Sequence, residues 1–176
     1  MSEKEVLYNG RFVNLVKTGR WEYAERSREV TGIVAIIAAT DDGRVILVEQ
    51  YRPPCQGRCI EFPAGLVGDK NDCPNESLEE AAIRELEEET GYKAASMTKV
   101  AEGPASAGIT SEIISLYLAE GLEKVSAGGG DESENIQVHL VPLSEAYQWL
   151  QEKSAAGIHV DVKVYAGLYF LHGCHK

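Results

Sequence analysis

The sequence predicts an α+β fold, with mixed strands and helices around one core, and three observations carry that expectation. Strand patterns come in runs, four before the first helical pattern and three after it, with two helices closing the chain. A doubly wound parallel sheet alternates β and α instead. The segment Val34-Ala35-Ile36-Ile37-Ala38-Ala39 is apolar on both faces, so it reads as a strand covered on both sides. Finally, 176 residues, 44% of them hydrophobic and 26% charged, form one core with room for a small appended subdomain.

Taken in order, the first thirty residues form paired strands. Phe12-Val13-Asn14-Leu15-Val16 is mostly apolar and Trp21-Glu22-Tyr23-Ala24-Glu25-Arg26 alternates, with Thr18-Gly19-Arg20 as the turn. A lone hairpin is marginal and must pack on something, a second chain included. This sets off residues 1–30 as an N-terminal β subdomain from the main domain, 31–176. The Asp41-Asp42-Gly43 turn leads into Val45–Tyr51, expected to pair back on Val34–Ala39 as a hairpin, and Arg52-Pro53-Pro54 ends that strand. Residues 55–75 are loop apart from a short strand at Cys59–Phe62. A helix is predicted from about Ser77 to Thr90, with Asn75 as its N-cap and Gly91 just past its end. Strands follow near 97–103, 113–119 and 136–142, then helices at Leu143–Gln151 and about Val160–His172. Gly128-Gly129-Gly130 reads as a flexible hinge.

Composition excludes several roles. Seventeen basic and twenty-eight acidic residues give a net charge of −11, which argues against a nucleic-acid binder because such proteins need a basic face. No apolar run is long enough to span a membrane, and the opening Met-Ser-Glu-Lys-Glu-Val does not look like a signal peptide, so a cytoplasmic location is expected. The four cysteines (Cys55, Cys59, Cys73, Cys174) lack metal-site spacing and read as free thiols. The four histidines are scattered and read as packing or surface residues.

The helix at 77–90 carries the chemistry. Leu78, Ala82 and Leu86 share one stripe, widened by Ile83, and Glu89 falls on the edge of that stripe, where its carboxylate is half buried. Glu85, Glu88 and Glu89 place three like charges on adjacent turns, which requires a compensating cation. Arg84 is one candidate but supplies a single charge. A divalent hard cation such as Mg2+ is the other, and it leaves positions open for water and substrate phosphates.

The surrounding residues decide between these. Glu76 and Arg84-Glu85-Leu86-Glu87-Glu88-Glu89-Thr90-Gly91-Tyr92 resemble the Nudix box, G-x5-E-x7-R-E-U-x-E-E-x-G-U, at all eight specified positions from Glu76 onward. Gly65 resembles its leading glycine, with ten residues between it and Glu76 instead of five; five extra residues in the Gly68–Asn75 loop account for this. The resemblance implies a Nudix α/β/α sandwich, and it is closest to the ADP-ribose and ADP-sugar pyrophosphatases. Glu61-Phe62-Pro63-Ala64-Gly65 and Gln50-Tyr51-Arg52-Pro53-Pro54 look like that branch, the latter implying that Arg52 contacts substrate phosphate. Ser106-Ala107-Gly108-Ile109-Thr110-Ser111-Glu112 is similar to its S-P-G-x-S/T-x-E signature, with Ala107 where proline is usual.

What the resemblance implies is Mg2+-dependent hydrolysis of a nucleoside diphosphate linked to a sugar, giving AMP and ribose 5-phosphate from ADP-ribose, with Mn2+ as a possible substitute. Glu85, Glu88, Glu89 and the Ala64 carbonyl would hold the metals, Glu112 would touch a metal or position its loop, and Arg84 would orient Glu85 by a bidentate pair. The acidic stretch Asp131–Ile136 would supply the catalytic base, Glu134 or Glu132 beside it. A homodimer is implied, in which Trp21 and Phe12 sandwich the adenine and Glu22 and Arg26 hold adenine and phosphate. Arg52 and Glu61 complete the substrate-binding set. Rival readings are a Nudix hydrolase of GDP-mannose or a dinucleoside polyphosphate, and a Nudix module that binds ADP-ribose without cleaving it.

Overall fold

A computed structural model of the chain describes residues 3–68, 76–130 and 135–173. In chain order the elements are β1 (Lys4–Asn9), β2 (Val13–Thr18), β3 (Trp21–Arg26), β4 (Gly32–Ile37), β5 (Arg44–Arg52), β6 (Gly57–Glu61), β7 (Ala64–Val67), α1 (Leu78–Thr90), β8 (Tyr92–Lys93), β9 (Ser96–Pro104), β10 (Ile113–Glu120), β11 (Glu123–Lys124), β12 (Gln137–Pro142), α2 (Ala146–Ala155), β13 (His159–Val160) and α3 (Val162–Gly173). The α+β expectation holds. The strands form two four-stranded sheets, ordered β7-β4-β10-β9 and β12-β5-β6-β13, a two-stranded β11-β8 ribbon and an N-terminal three-stranded sheet β1-β2-β3.

The double-faced apolar pattern of β4 is what sets the layers. Val34, Ile36 and Ala38 pack with Ala81, Ala82 and Leu86 of α1, while Ala35 and Ile37 pack with Leu150 of α2 and Val164, Leu168 and Leu171 of α3. Successive strand residues point to opposite faces, so one run of small and branched side chains builds both halves of the core. Helices therefore cover the sheets from two sides, α1 on one and α2 with α3 on the other.

The expected hairpin between Val34–Ala39 and Val45–Tyr51 does not form. Asp41-Asp42-Gly43 does turn the chain, with the Gly43 N–H donating to Thr40 O at 2.8 Å. Beyond a single bridge between Ala39 and Val45 the two strands part into different sheets. Each is apolar on both faces and becomes an interior strand, β4 between β7 and β10 and β5 between β12 and β6. The N-terminal sheet gains a strand, β1, that the hydrophobic pattern did not show, because all six of its residues stay exposed. Strand β7 forms within the 55–75 stretch read as loop, by pairing with β4, and the short strands β8, β11 and β13 were also not expected; two residues carry no period.

Helix α1 is capped by Ser77 and not by the expected Asn75, which lies outside the described residues together with Cys73, Cys174, Glu132 and Glu134. Ser77 Oγ accepts the Glu80 N–H at 3.2 Å and the Glu80 carboxylate accepts the Ser77 N–H at 2.9 Å. This reciprocal capping box contributes about 1 kcal/mol. The helix expected from near Leu143 begins instead at Ala146, after a turn in which the Glu145 N–H donates to Pro142 O at 2.9 Å. No helix among the described residues is long and apolar enough to cross a membrane. Cys55 and Cys59 are free thiols, and burial pushes that of Cys59 up to about 12.

Candidate active site

Helix α1 lies across β7 and β4, so its first-turn cap and its inward stripe fix which acids face the sheet. Glu89 is 4% exposed, more deeply buried than the half-buried carboxylate expected at the edge of the apolar stripe. Glu85 sits over Gly65 of β7. A Cβ on Gly65 would lie 2.1 Å from Glu85 Cδ and 2.2 Å from Oε1, so the absent side chain is the seat of this carboxylate. Gly65 has no left-handed backbone, which leaves close approach as the reason for glycine. Ala64, whose carbonyl is the expected metal ligand, immediately precedes this seat and pairs with Ala35 of β4.

Arg84 organises the acids, but not in the way expected. Its bidentate fork closes on Glu76, Nε to Oε1 at 2.8 Å and Nη2 to Oε2 at 2.9 Å. Glu85 receives a single bond from Nη1 at 2.6 Å, and Glu88 a longer one at 3.2 Å. The reason is reach. Glu85 is the next residue on the helix, so the guanidinium edge can only graze it, while Glu76, ahead of the first turn, meets the fork face on. Glu76, followed by Glu85, pushes the Arg84 guanidinium above its ordinary value, against the opposing effect of burial, so it stays charged.

A second fork lies nearby. Arg52, at the end of β5, donates from Nε and Nη2 to the two carboxylate oxygens of Glu61 on β6, each at 2.7 Å. Glu61 raises the Arg52 value, and the charge of Glu89 adds to it, so the Arg52–Glu61 pair belongs to the same electrostatic neighbourhood as α1. Phe62, next to Glu61, is buried against Gly167 of α3, where a Cβ would meet its ring at 2.1 Å. Helix α3 thus pins the Glu61–Gly65 segment from behind.

The remaining candidates stand on other elements. Trp21, Glu22 and Phe12 are exposed on the N-terminal sheet, Trp21 at 55% and Phe12 at 66%, with the Arg20 and Arg11 guanidinium groups over the Trp21 and Phe12 rings. Arg26 and Glu112 are brought together with each other, Nε to Oε1 at 2.6 Å. That pair and two backbone bonds, Ala24 N–H to Ile109 O and Ser111 N–H to Ala24 O, fasten the N-terminal sheet to the 105–112 loop. The turn holding Ala107 is closed by the Ile109 and Thr110 N–H groups on Ser106 O, both at 3.0 Å, so its shape does not depend on a proline.

Glu132 and Glu134 lie outside the described residues. The chain enters their stretch from Gly128-Gly129-Gly130, which is packed and not the expected hinge. The Gly129 and Gly130 N–H groups donate to Glu89 O and Glu88 O at 2.8 and 3.1 Å. A cleft of about 700 Å3 opens between this segment and α1, lined by Ile83, Arg84, Glu88, Lys93, Ser126 and Gly130. The role of Gly128–Gly130 was hidden because three glycines read as freedom when considered alone.

Among the described residues no three His, Cys, Asp or Glu side chains converge tightly enough to grip an ion as they stand. Arg84 is the physical reason, since it draws Glu85 and Glu88 towards its own guanidinium. The donors themselves fit a hard divalent cation. They are carboxylates at i, i+3 and i+4 beside a strand carbonyl, with no thiol or imidazole among them. The bare Cα of Gly65 gives Glu85 room beside that carbonyl.

The NUDIX domain model matches residues 30–161. The chain is 38% identical to the methanol dehydrogenase activator of Bacillus methanolicus over 156 residues, covering 85% of this chain and 81% of that protein. It is 35% identical to the ADP-ribose pyrophosphatase of Bacillus subtilis over 156 residues, covering 85% and 82%. It is 33% identical to the ADP-sugar pyrophosphatase of Mus musculus over 175 residues, covering 91% and 78%. A crystal structure described as an ADP compounds hydrolase aligns with a TM-score of 0.66 over 83% of this chain and 80% of that one, at 24% identity, a likeness of fold. A domain match across most of the chain, together with relatives of this identity and coverage, establishes that the chain belongs to the Nudix family.

Proposed function

We propose that this chain hydrolyses the pyrophosphate bond of ADP-ribose and related ADP-sugars, releasing AMP and a sugar phosphate, with Mg2+ as its divalent ion. The observation that carries the reading is the seat of Glu85 on Gly65, with Glu88 and Glu89 on the same turn and Arg84 gripping Glu76 beside them. The names of the Bacillus subtilis and mouse relatives support the substrate class.

In this reading Glu85, Glu88, Glu89 and the Ala64 carbonyl would hold the metal, and Glu112 would touch a metal or position its loop. A divalent ion held there would supply positive charge against the pyrophosphate and favour ionisation of the attacking water. This is how a chain of net charge −11 accepts an anionic substrate. Arg84, bonded to Glu85 through Nη1, aims it. Arg52, already forked on Glu61 through Nε and Nη2, presents its remaining N–H groups to a substrate phosphate. Glu134, or Glu132 beside it, takes the proton of the attacking water. Trp21 and Phe12 stack on the adenine, and Glu22 and Arg26 hold its edge and the adjoining phosphate.

A homodimer fits this assignment. Val6, Tyr8, Phe12, Val13, Leu15 and Trp21 are all more than 40% exposed on the N-terminal sheet, an apolar concentration that a second subunit would cover. The setting is cytoplasmic, with thiols reduced. Release of AMP from ADP-ribose with and without Mg2+, beside GDP-mannose, UDP-glucose, a diadenosine polyphosphate and a nucleoside triphosphate, tests the reading. Mg2+-dependent turnover strongest on ADP-ribose is the expected result. Preference for another substrate replaces the substrate assignment, and binding of ADP-ribose without cleavage of any substrate replaces the enzyme by a binding module.

A further inference from the structure

We propose that Lys124 is a positioning residue for the metal-bearing turn of α1, an inference that rests on the metal-site reading above. An α-helix leaves the carbonyls of its last turn without partners inside the helix. In α1 every one of them is met. Glu87 O accepts the Gly91 N–H at 2.8 Å, Glu88 O that of Gly130 at 3.1 Å and Glu89 O that of Gly129 at 2.8 Å. Thr90 O accepts from the Lys124 ammonium at 2.8 Å.

The last turn itself contains no basic residue, while Glu87, Glu88 and Glu89 crowd the negative end of the helix dipole. Lys124 brings a full positive charge to that end from another element. It sits in β11, opposite Tyr92 of β8, with its ammonium 4.6 Å from the Tyr92 ring centre. The same ammonium lies 3.4 Å from Ala127 O, at the start of the strap that caps the helix. One side chain therefore joins helix end, ribbon and strap.

The strap is built for contact. A Cβ on Gly128 would lie 2.3 Å from the Thr90 carbonyl carbon, and one on Gly91 would lie 2.2 Å from Ser126 O. Only two backbones without side chains approach this closely. The carbonyls so held are those of Glu88 and Glu89, the residues whose carboxylates serve the ion. A helix end frays when its carbonyls are left to water, and carboxylates on a fraying turn lose their aim. Lys124 prevents that fraying and so sets the affinity for the ion, without touching ion or substrate.

The test uses the full chain and Mn2+ alone, with free ion read by its electron paramagnetic resonance signal. Lys124→Met keeps the aliphatic stem and removes the ammonium. It should weaken Mn2+ binding about tenfold, the scale on which partners behind a metal ligand act. The Mg2+ midpoint for ADP-ribose hydrolysis should move by the same factor, with kcat at saturating Mg2+ and KM for ADP-ribose changed less than about twofold. Lys124→Arg should restore most of the affinity. Gly128→Ala lifts the strap by a separate route and should reproduce the loss, even if Lys124→Met fails to fold. Unchanged Mn2+ affinity in folded Lys124→Met, while the wild type binds, overturns the role of Lys124, and unchanged affinity in folded Gly128→Ala overturns the link between the helix end and the ion. A wild-type chain that binds no Mn2+ overturns the metal-site reading and this inference together.

Discussion

Replacing Gly65 by alanine isolates the geometry of the site from its stability. Gly65 lies in a strand with ordinary backbone, so alanine is allowed there without strain. The new Cβ would lie 2.1 Å from Glu85 Cδ, and ordinary contact begins near 3.4 Å, so the carboxylate must retreat by about 1.3 Å. The carboxylate is the end of a flexible side chain, so the fold can absorb the shift, but the bond from Arg84 Nη1 at 2.6 Å cannot survive it unchanged. A displacement of about 1 Å at a reacting centre costs on the order of 100-fold in rate. Gly65→Ala should therefore lower kcat/KM for ADP-ribose about 100-fold at fixed Mg2+, with a melting temperature close to that of the parent chain. AMP release measured by chromatography across a Mg2+ titration, beside thermal unfolding, checks both halves. A folded variant with near-normal kcat/KM would refute the placement of Glu85 on Gly65 as the working geometry.

Arg84→Lys keeps the charge but cannot fork onto Glu76 while bonding Glu85. It should cost about 2 kcal/mol of stability through the lost charge-assisted bonds, read as a lower urea midpoint, and most of the activity. Trp21→Ala, at a half-exposed site, should leave the urea midpoint nearly unchanged while raising KM for ADP-ribose about tenfold through lost stacking; an unchanged KM would assign Trp21 to hairpin packing. Acid should weaken the fold through the network that ties α2 to the sheet, where buried Glu49 accepts from Arg58 Nε at 2.5 Å and pairs with His139 Nε2 at 2.9 Å and Lys153 Nζ at 3.5 Å. Burial, with Lys153 and Arg58 nearby, holds the His139 imidazole below its ordinary 6.5 despite the pull of Glu49. Burial alone would raise Glu49, but its bonds to Arg58 and His139 hold it below 4.5. Below about pH 6.5, and again below about 4.5, the unfolded chain takes up protons that the folded chain refuses, so stability falls as pH drops. His139→Gln should flatten the upper part of that fall in urea unfolding at pH 7 and 5; an identical slope would place the sensitivity elsewhere.

Much of the site was legible in the sequence because it is local. Five of the eight box positions sit on α1 and the other three lie within two residues of its ends, and helical period alone placed Glu89 beside the buried stripe, where it is found. Gly91 closes α1 in the left-handed conformation, φ 72°, that a glycine past a helix end predicts. The double-faced pattern of residues 34–39 likewise foretold the two layers that cover β4. These features depend on neighbours within a few residues, and a sequence records such neighbours directly.

What the sequence could not carry is the choice among distant partners. Residues 34–39 and 45–51 look like a hairpin, yet each takes other neighbours because an interior strand needs partners on both edges. Arg84 could have paired with any of several acids, and only the approach of residue 76 to the helix face gives its fork to Glu76. Three glycines in a row spell freedom until the end of α1 arrives against them, packs on the bare Cα of Gly128 and takes the N–H groups of Gly129 and Gly130. The identity of the chemistry was thus written in short-range spacing, while the pairing of strands, ion pairs and caps was decided by which surfaces meet when the layers close, a property of packing in three dimensions that no single stretch of chain contains.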